Sequence, residues 1–420
     1  MRVADYILSA IRDQGVTHCF MDPGGLNDNF MPAMTGTEGL RTIVAAFEGG
    51  AAYMADGFAR ASGGLGVCFG IGGPGVLNMT TALAAAAADR SSVLAISGEV
   101  ARSWEGMGGF QDASGAGIDD IDVLKRVTGL SLSTSSRAVV SHHLRHAITY
   151  AFTRRSPAHL SVPVDVQKAD IDPAWRPVSP SLRAARFVDE NALAHAIDLL
   201  NGEANQTIIV LAGPGVLQAN GVDALRSFAE RFDIPVATTL SGKGVISERH
   251  PLSLGVFGYG GSQWAIDAIC SDKTDILLVI GSGLSQRDTM QWDPKMLPSK
   301  AMIHIDFDPL IIGRTWPSEV PVVANAGEAL QQLATLKAAT GLEAGRAQRR
   351  AFLADIRAQT LRLYQPEDTR SDDVPIIRRA SSPNCGTPFP TMVCCAWIPA
   401  RTALGSPNIG RCGSPAPISR

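Results

Sequence analysis

No uninterrupted apolar run in these 420 residues reaches the ~18 needed for a spanning helix, so no membrane partner is expected. Aromatic residues are scarce at 6%, charged residues make up 18%, and the net charge is −3. Without a basic stripe there is no footprint for nucleic acid. The absence of G-x-x-x-x-G-K-[ST] disfavours a P-loop nucleotide triphosphatase, and the absence of G-x-S-x-G removes the commonest hydrolase pattern. Cys385, Cys394, Cys395 and Cys412 lack C-x-x-C pairing and no His follows His304, so no metal site is expected. The opening MRVADYILSAIRDQG carries Asp5 and Asp13 at helical spacing among apolar residues. It reads as a surface helix and not a signal peptide, which makes the cytoplasm the expected compartment.

Acid is missing from one end of the chain altogether. The last acidic residue is Asp373, and the 47 residues beyond it hold five Arg, no Lys, four Cys and eight Pro. That composition predicts disorder. It also suits a frameshift in a GC-rich gene, which resequencing through codon 374 would test.

What is present alternates. Val3, Ile7 and Ile11 share a helical face, and short apolar strands are predicted at 16–20, 42–47, 65–71 and 93–97. Between them lie a small-residue helix at 48–61 and an Ala-rich one ending at Ala88. A second alternating unit has helices at 191–200 and 222–232, with strands at 207–212, 235–238, 276–280 and 301–305. Helices between buried strands imply parallel sheets covered on both faces. The expected fold is therefore α/β: two doubly wound parallel-sheet domains, at 1–168 and 191–336, joined by a Pro-containing linker at 169–190. One helix is predicted over 341–364 within a lead-in at 337–373, and the irregular tail occupies 374–420.

Two features invite chemistry. Glu48 ends a predicted strand and opens a helix, so it would stand at the strand's carboxyl edge, where ligands of open parallel sheets bind. An ordinary first-turn acid has the same position. Gly72-Gly73-Pro74-Gly75 lies between a strand and a helix, where a flat or anionic ligand could approach the backbone, or where the chain simply turns tightly.

In order along the chain, CFMDPGG at Cys19, AAFEGGAAYMADGFARASG at Ala45, GIGGPGVLN at Gly70, VLAISGEV at Val93, GGFQD at Gly108 and SVPVDVQ at Ser161 resemble the acetolactate synthase (acetohydroxyacid synthase) large subunits among thiamine diphosphate-dependent enzymes. IPVATTLSGKGVISERHPLSLGVFG and AMIHIDFDP extend the resemblance into the second unit. It implies a pyrimidine-binding domain followed by a Rossmann-like central domain, and a 2-keto acid carboligase or decarboxylase whose small-molecule substrate is a 2-keto acid. Glu48 would hydrogen-bond a ring nitrogen of the cofactor's aminopyrimidine. Gly24, Gly25, Gly73, Pro74 and Asn78 match positions lining that pocket, while Phe110 and Gln111 match a loop near the substrate, Gln111 with a catalytic role. The plain alternatives are a helix-start cap for Asn78, a core residue for Phe110 and a surface amide for Gln111. Homo-oligomers paired through the pyrimidine domain are expected by the same resemblance.

Departures narrow the expectation. Phe47 stands where the family usually has His, and Gly49 where Gln is common. GYGGSQWA at Gly258 replaces a His-Gly-Thr segment of FAD-carrying synthases, so FAD is not expected, although the glycines and Asp306 leave room for a dinucleotide. The Gly-Asp-Gly motif that holds diphosphate-bridging magnesium is absent. The thiamine diphosphate site would then be partial, with Mg2+ bound only if a separate domain supplies the ligands. A truncated, inactive enzyme is one expectation, and a non-catalytic remnant or cofactor-binding fragment without turnover is the alternative.

Overall fold

In the computed structural model, described residues run from 1 to 362 except 173–174, 183–185, 204 and 338. The tail at 374–420, SDDVPI at 371 and Tyr364 lie outside them. The chain divides into two compact units at Arg186/Phe187.

The first unit is a parallel sheet of β1 (His18–Met21), β2 (Arg41–Val44), β3 (Gly66–Ile71), β4 (Val93–Glu99), β5 (Leu130–Ser133) and β6 (Ala158–Pro163) in the order β2-β1-β3-β4-β6-β5. Around it lie α1 (Val3–Asp13), α2 (Phe30–Gly36), α3 (Glu48–Ser62), α4 (Pro74–Ala88), α5 (Asp120–Thr128), α6 (Val140–Arg154) and α7 (Val164–Lys168). Chain order goes from β1 to β2 on one side and then to β3 on the other, so the crossover falls between β1 and β3. That is where a crevice opens at the strands' carboxyl ends in folds of this kind.

Small residues set the packing of α3 on its neighbours. Ala51, Ala52, Ala55 and Ala59 are buried with Val76, Met79, Ala82 and Leu83 of α4 in one apolar cluster. A Cβ on Gly66 would stand 2.0 Å from the Ala55 carbonyl oxygen, so β3 has to begin with glycine. Arg60 pairs with Asp56 at 2.6 Å and with Asp89, just past the end of α4, at 2.8 Å. Residues 169–172 and 175–178 belong to the first unit: Gln14 exchanges two hydrogen bonds with the Val178 backbone, and Trp175 meets Tyr6 edge-on.

The sheet core holds one polar knot. His159 of β6 is fully buried, with Ser97 Oγ 2.8 Å from Nε2 and Ser131 Oγ 2.8 Å from Nδ1. Burial pushes its pKa down from 6.5 to about 3. The folded state therefore cannot take up the proton that the unfolded ring binds below pH 6.5. The neutral ring's contribution is complete above 6.5 and is lost, at about 1.4 kcal/mol per pH unit, as pH falls toward 3. Between pH 6.5 and 5 the wild type is expected to lose about 2 kcal/mol more in urea titrations than His159→Asn; equal losses would contradict this.

The second unit has a parallel sheet ordered β12-β11-β10-β7-β8-β9. Its strands are β7 (Ile208–Ala212), β8 (Val236–Thr238), β9 (Ser253–Val256), β10 (Ile276–Ile280), β11 (Ala301–Asp306) and β12 (Val320–Val323). Its helices are α8 (Glu190–Asn201), α9 (Pro214–Gln218), α10 (Val222–Phe232), α11 (Gln263–Ile269), α12 (Ala326–Ala334), α13 (Thr340–Ala344) and α14 (Arg346–Gln359). The single helix predicted over 341–364 is broken at Gly345 and stops at Gln359. Phe352, Leu353 and Ile356 bury its apolar stripe in the second unit's core. Among the described residues no helix is long and apolar enough to cross a membrane.

Candidate active site

β2 ends at Val44, and after a short bend α3 begins at Glu48. The carboxylate is buried, at 8% exposure, on the carboxyl edge of the sheet. Asn78 Nδ2 donates to Glu48 Oε2 at 3.0 Å. A Cβ on Gly75 would stand 3.0 Å from the other oxygen, Oε1. Asn78 is therefore no helix-start cap: it sits in the second turn of α4 and fixes one oxygen of Glu48, leaving the other beside a residue without a side chain.

The glycine turn supplies the rest of the wall. Gly73 has φ +68°, and Pro74 follows as the first residue of α4. The Gly73 N–H donates to Asp120 Oδ2 at 2.9 Å, and Gly72 N–H donates to the Gly98 carbonyl at 2.7 Å. Across the crossover, a Cβ on Gly24 would come within 2.4 Å of Ile71 Cγ2, so the turn after β1 lies directly on the end of β3. Gly25 opens a short 3-10 turn with no atom near its missing side chain.

The structure thus brings Glu48, Asn78, Gly73 and Pro74 together, with Gly24 and Gly25 on the facing turn. Phe110 is 86% exposed, so the core alternative for it fails. Gln111 has φ +61°, and its backbone carbonyl oxygen lies 4.0 Å from where a Cβ on Gly73 would stand.

Three acids at this edge escaped sequence reasoning. Asp22 has its pKa raised, first by burial and then by the like charge of Glu48. Glu99 is buried, accepts the Val100 and Ala113 N–H groups at Oε1, and is likewise pushed up, chiefly by burial. Asp120 is fully buried, and burial is the first cause of a rise to about 7. Asp22 is legible as part of DPGG; Glu99 and Asp120 are recognisable only once distant segments meet.

The departures at 47 and 49 belong together. A Cβ on Gly49 would lie 2.4 Å from Phe47 Cε1 and 2.9 Å from the Asn78 carbonyl oxygen, so the half-exposed ring occupies the space a side chain at 49 would need. In the second unit, Gly213 and Gly215 press on Gly281, with a Cβ on Gly213 only 2.2 Å from the Gly281 carbonyl oxygen. Backbone packing accounts for those glycines. Asp306 accepts the Asp308 N–H and Asp308 accepts the Leu310 N–H, so both carboxylates tie down the turn that follows β11. Among the described residues no group of three or more His, Cys, Asp or Glu could hold a metal ion.

Comparison with known proteins assigns both units to one family. Residues 1–119 match the family described as thiamine pyrophosphate enzyme, N-terminal TPP binding domain, and residues 193–333 match its central domain. A probable acetolactate synthase large subunit of Methanocaldococcus jannaschii is 34% identical over 340 residues, covering 79% of this chain and 56% of that protein. The acetolactate synthase large subunit of Corynebacterium glutamicum is 32% identical over 79% of this chain and 52% of its own length. A glyoxylate carboligase of Escherichia coli O157:H7 is 31% identical over 90% of this chain and 62% of its own length. The chain thus spans little more than half the length of the synthases it matches. With both family domains present in order and this similarity across four-fifths of its residues, the chain belongs to the thiamine pyrophosphate enzyme family and is acetolactate synthase-like.

Proposed function

We propose that this chain carries the aminopyrimidine half of a thiamine diphosphate site serving 2-keto acid carboligation or decarboxylation of the acetolactate synthase type. The observation that carries the reading is the Glu48 carboxylate, with one oxygen fixed by Asn78 and the other beside Gly75. When bound, the cofactor supplies a nucleophilic ring carbon and an electron sink for loss of carbon dioxide. Glu48 would accept a hydrogen bond from a ring nitrogen and hold the proton there. Gly73 and Gly75 would let the ring lie against the backbone, and Pro74 would start α4 without an N–H to satisfy. Gln111 and Phe110 would meet the 2-keto acid from the adjoining loop.

Oligomerisation through the pyrimidine unit is part of the proposal: Phe47, Tyr53 and Leu77 leave apolar surface exposed on α3, α4 and the residue before α3. The sequence has no Gly-Asp-Gly. Diphosphate and Mg2+ are therefore assigned to a separate domain, and without it this chain would be a cofactor-binding fragment with no turnover. The test is calorimetric titration of the full chain with thiamine diphosphate and Mg2+, beside an assay of carbon dioxide release from pyruvate. Submillimolar binding without turnover is expected. No binding at millimolar cofactor would overturn the assignment of the pyrimidine site, and turnover by the chain alone would overturn the assignment of a missing half.

A further inference from the structure

The acid that opens α5 is not needed by its own helix. Asp119 caps α5, its side chain accepting the Asp122 N–H. Asp120 instead reaches across 47 positions of sequence to the Gly73 N–H at the start of α4. Its own N–H donates to the Ala113 carbonyl, and the Ala113 N–H donates to Glu99 Oε1. Glu99 Oε2 lies 3.4 Å from where a Cβ on Gly72 would stand. Two buried carboxylates thus flank the glycine turn, and Asp120 Oδ1 is buried with no hydrogen-bond partner.

We propose that Asp120 is a positioning residue for the pyrimidine site: by holding the Gly73 N–H it sets the start of α4, and with it the Asn78 amide and Gly75 that bracket the Glu48 carboxylate. The cofactor part of this inference rests on the function proposed above; the coupling from Asp120 to Asn78 does not. The link is short, because Gly73 precedes the first residue of α4 and Asn78 lies five residues on. A helix that starts at a fixed point carries its second turn to a fixed point.

Protonation bears on the coupling. The charges acting on Asp120 are Glu99, at the end of β4, and Asp119, both of its own sign. Asp112 and Glu105 of the adjoining loop act on Glu99 in the same sense. α4 carries no ionisable side chain, β5 carries none, and β6 carries only His159, which burial keeps neutral. With a folded pKa of about 7 against an ordinary 3.8, the contribution of Asp120 to stability is complete below 3.8 and is lost as pH rises through about 7.

Glycine- and asparagine-selective 15N NMR on the full chain, free of cofactor, provides two reporters. The Gly73 amide is expected to titrate with a midpoint near pH 7 in the wild type and to stop doing so in Asp120→Asn, which keeps an oxygen for the hydrogen bond. The Asn78 side-chain amide is expected to shift in Asp120→Ala and to return in Asp120→Asn. A Gly73 titration that survives Asp120→Asn, or an Asn78 signal indifferent to Asp120→Ala, overturns the proposal. Thiamine diphosphate with Mg2+ is then the binding probe. Asp120→Ala is expected to bind it about tenfold more weakly, and Asp120→Asn within about threefold of wild type. Equal affinities would overturn the cofactor part. A wild type that binds none would overturn the functional reading while the NMR result stands. Should Asp120→Ala fail to fold, the Asn variant still decides the Gly73 question.

Discussion

Replacing Glu48 with Gln is expected to weaken thiamine diphosphate binding about 10- to 150-fold while leaving the fold intact or slightly more stable. The first figure is the worth of one hydrogen bond to a charged acceptor in a partly desolvated place, about 1.5–3 kcal/mol. The second expectation follows from the surroundings. Glu48 is buried and raises the pKa of Asp22 through its like charge, so the neutral amide relieves a repulsion. Gln keeps an oxygen for the Asn78 Nδ2 that now donates to Oε2. Calorimetric affinity and thermal unfolding on the same preparations separate a binding role from a structural one. Weaker binding with an unchanged midpoint supports the assignment of Glu48. A midpoint lowered by several degrees would make the carboxylate part of the scaffold, and unchanged affinity would remove it from the site.

Why Glu48 was legible and Asp120 was not comes down to separation along the chain. Glu48 announces itself locally, as an acid between an apolar strand and a run of small residues, and α3 begins at that residue. The helix over 222–232 was equally plain, because Leu225, Phe228, Ala229 and Phe232 repeat on one face. Asp120 lies beside two other acids in IDDID, where its side chain looks like any solvated first-turn carboxylate; only the fold carries it to Gly73. The same holds for β6. His159 and Ser161 interrupt its apolar run, and the His159 ring is satisfied by Ser97 on β4 and Ser131 on β5, partners 62 and 28 residues away. β12 was obscured by Pro321, which an edge strand tolerates, and β9 by Gly255 at φ +86° beside a break in register. Sequence periodicity reports burial by element; it is silent on polar side chains that are paid for by a neighbour far along the chain.

Arg349 gives the largest expected effect on stability. It is 1% exposed, and its guanidinium donates to the carbonyls of Phe232 at 2.9 Å, Gln206 at 3.5 Å and Leu342. Phe232 is the last residue of α10, whose final carbonyls have no partner within the helix. Burial pulls the Arg349 pKa down to about 10, so the group is still charged at neutral pH. Asp233, the residue after α10, does not hydrogen-bond it but pairs with Arg346 and Arg350 at 2.6 Å each, so three arginines of α14 close on the end of α10. Arg349→Met keeps much of the apolar volume and leaves three carbonyls with no donor, at a net ~1 kcal/mol or more each. The relief of a buried cation offsets part of this, which leaves an expected loss of about 2–4 kcal/mol. Arg349→Lys should recover little of it, because an ammonium on a flexible stem cannot span carbonyls that a planar fork reaches together. Urea titrations should show a lower midpoint with an unchanged slope. Amide exchange should speed up over Arg346–Gln359 before the rest of the second unit, because Phe352, Leu353 and Ile356 hold α14 to the core from one side only. A loss under about 1 kcal/mol, or full rescue by Lys, would mean that apolar burial alone keeps α14 in place.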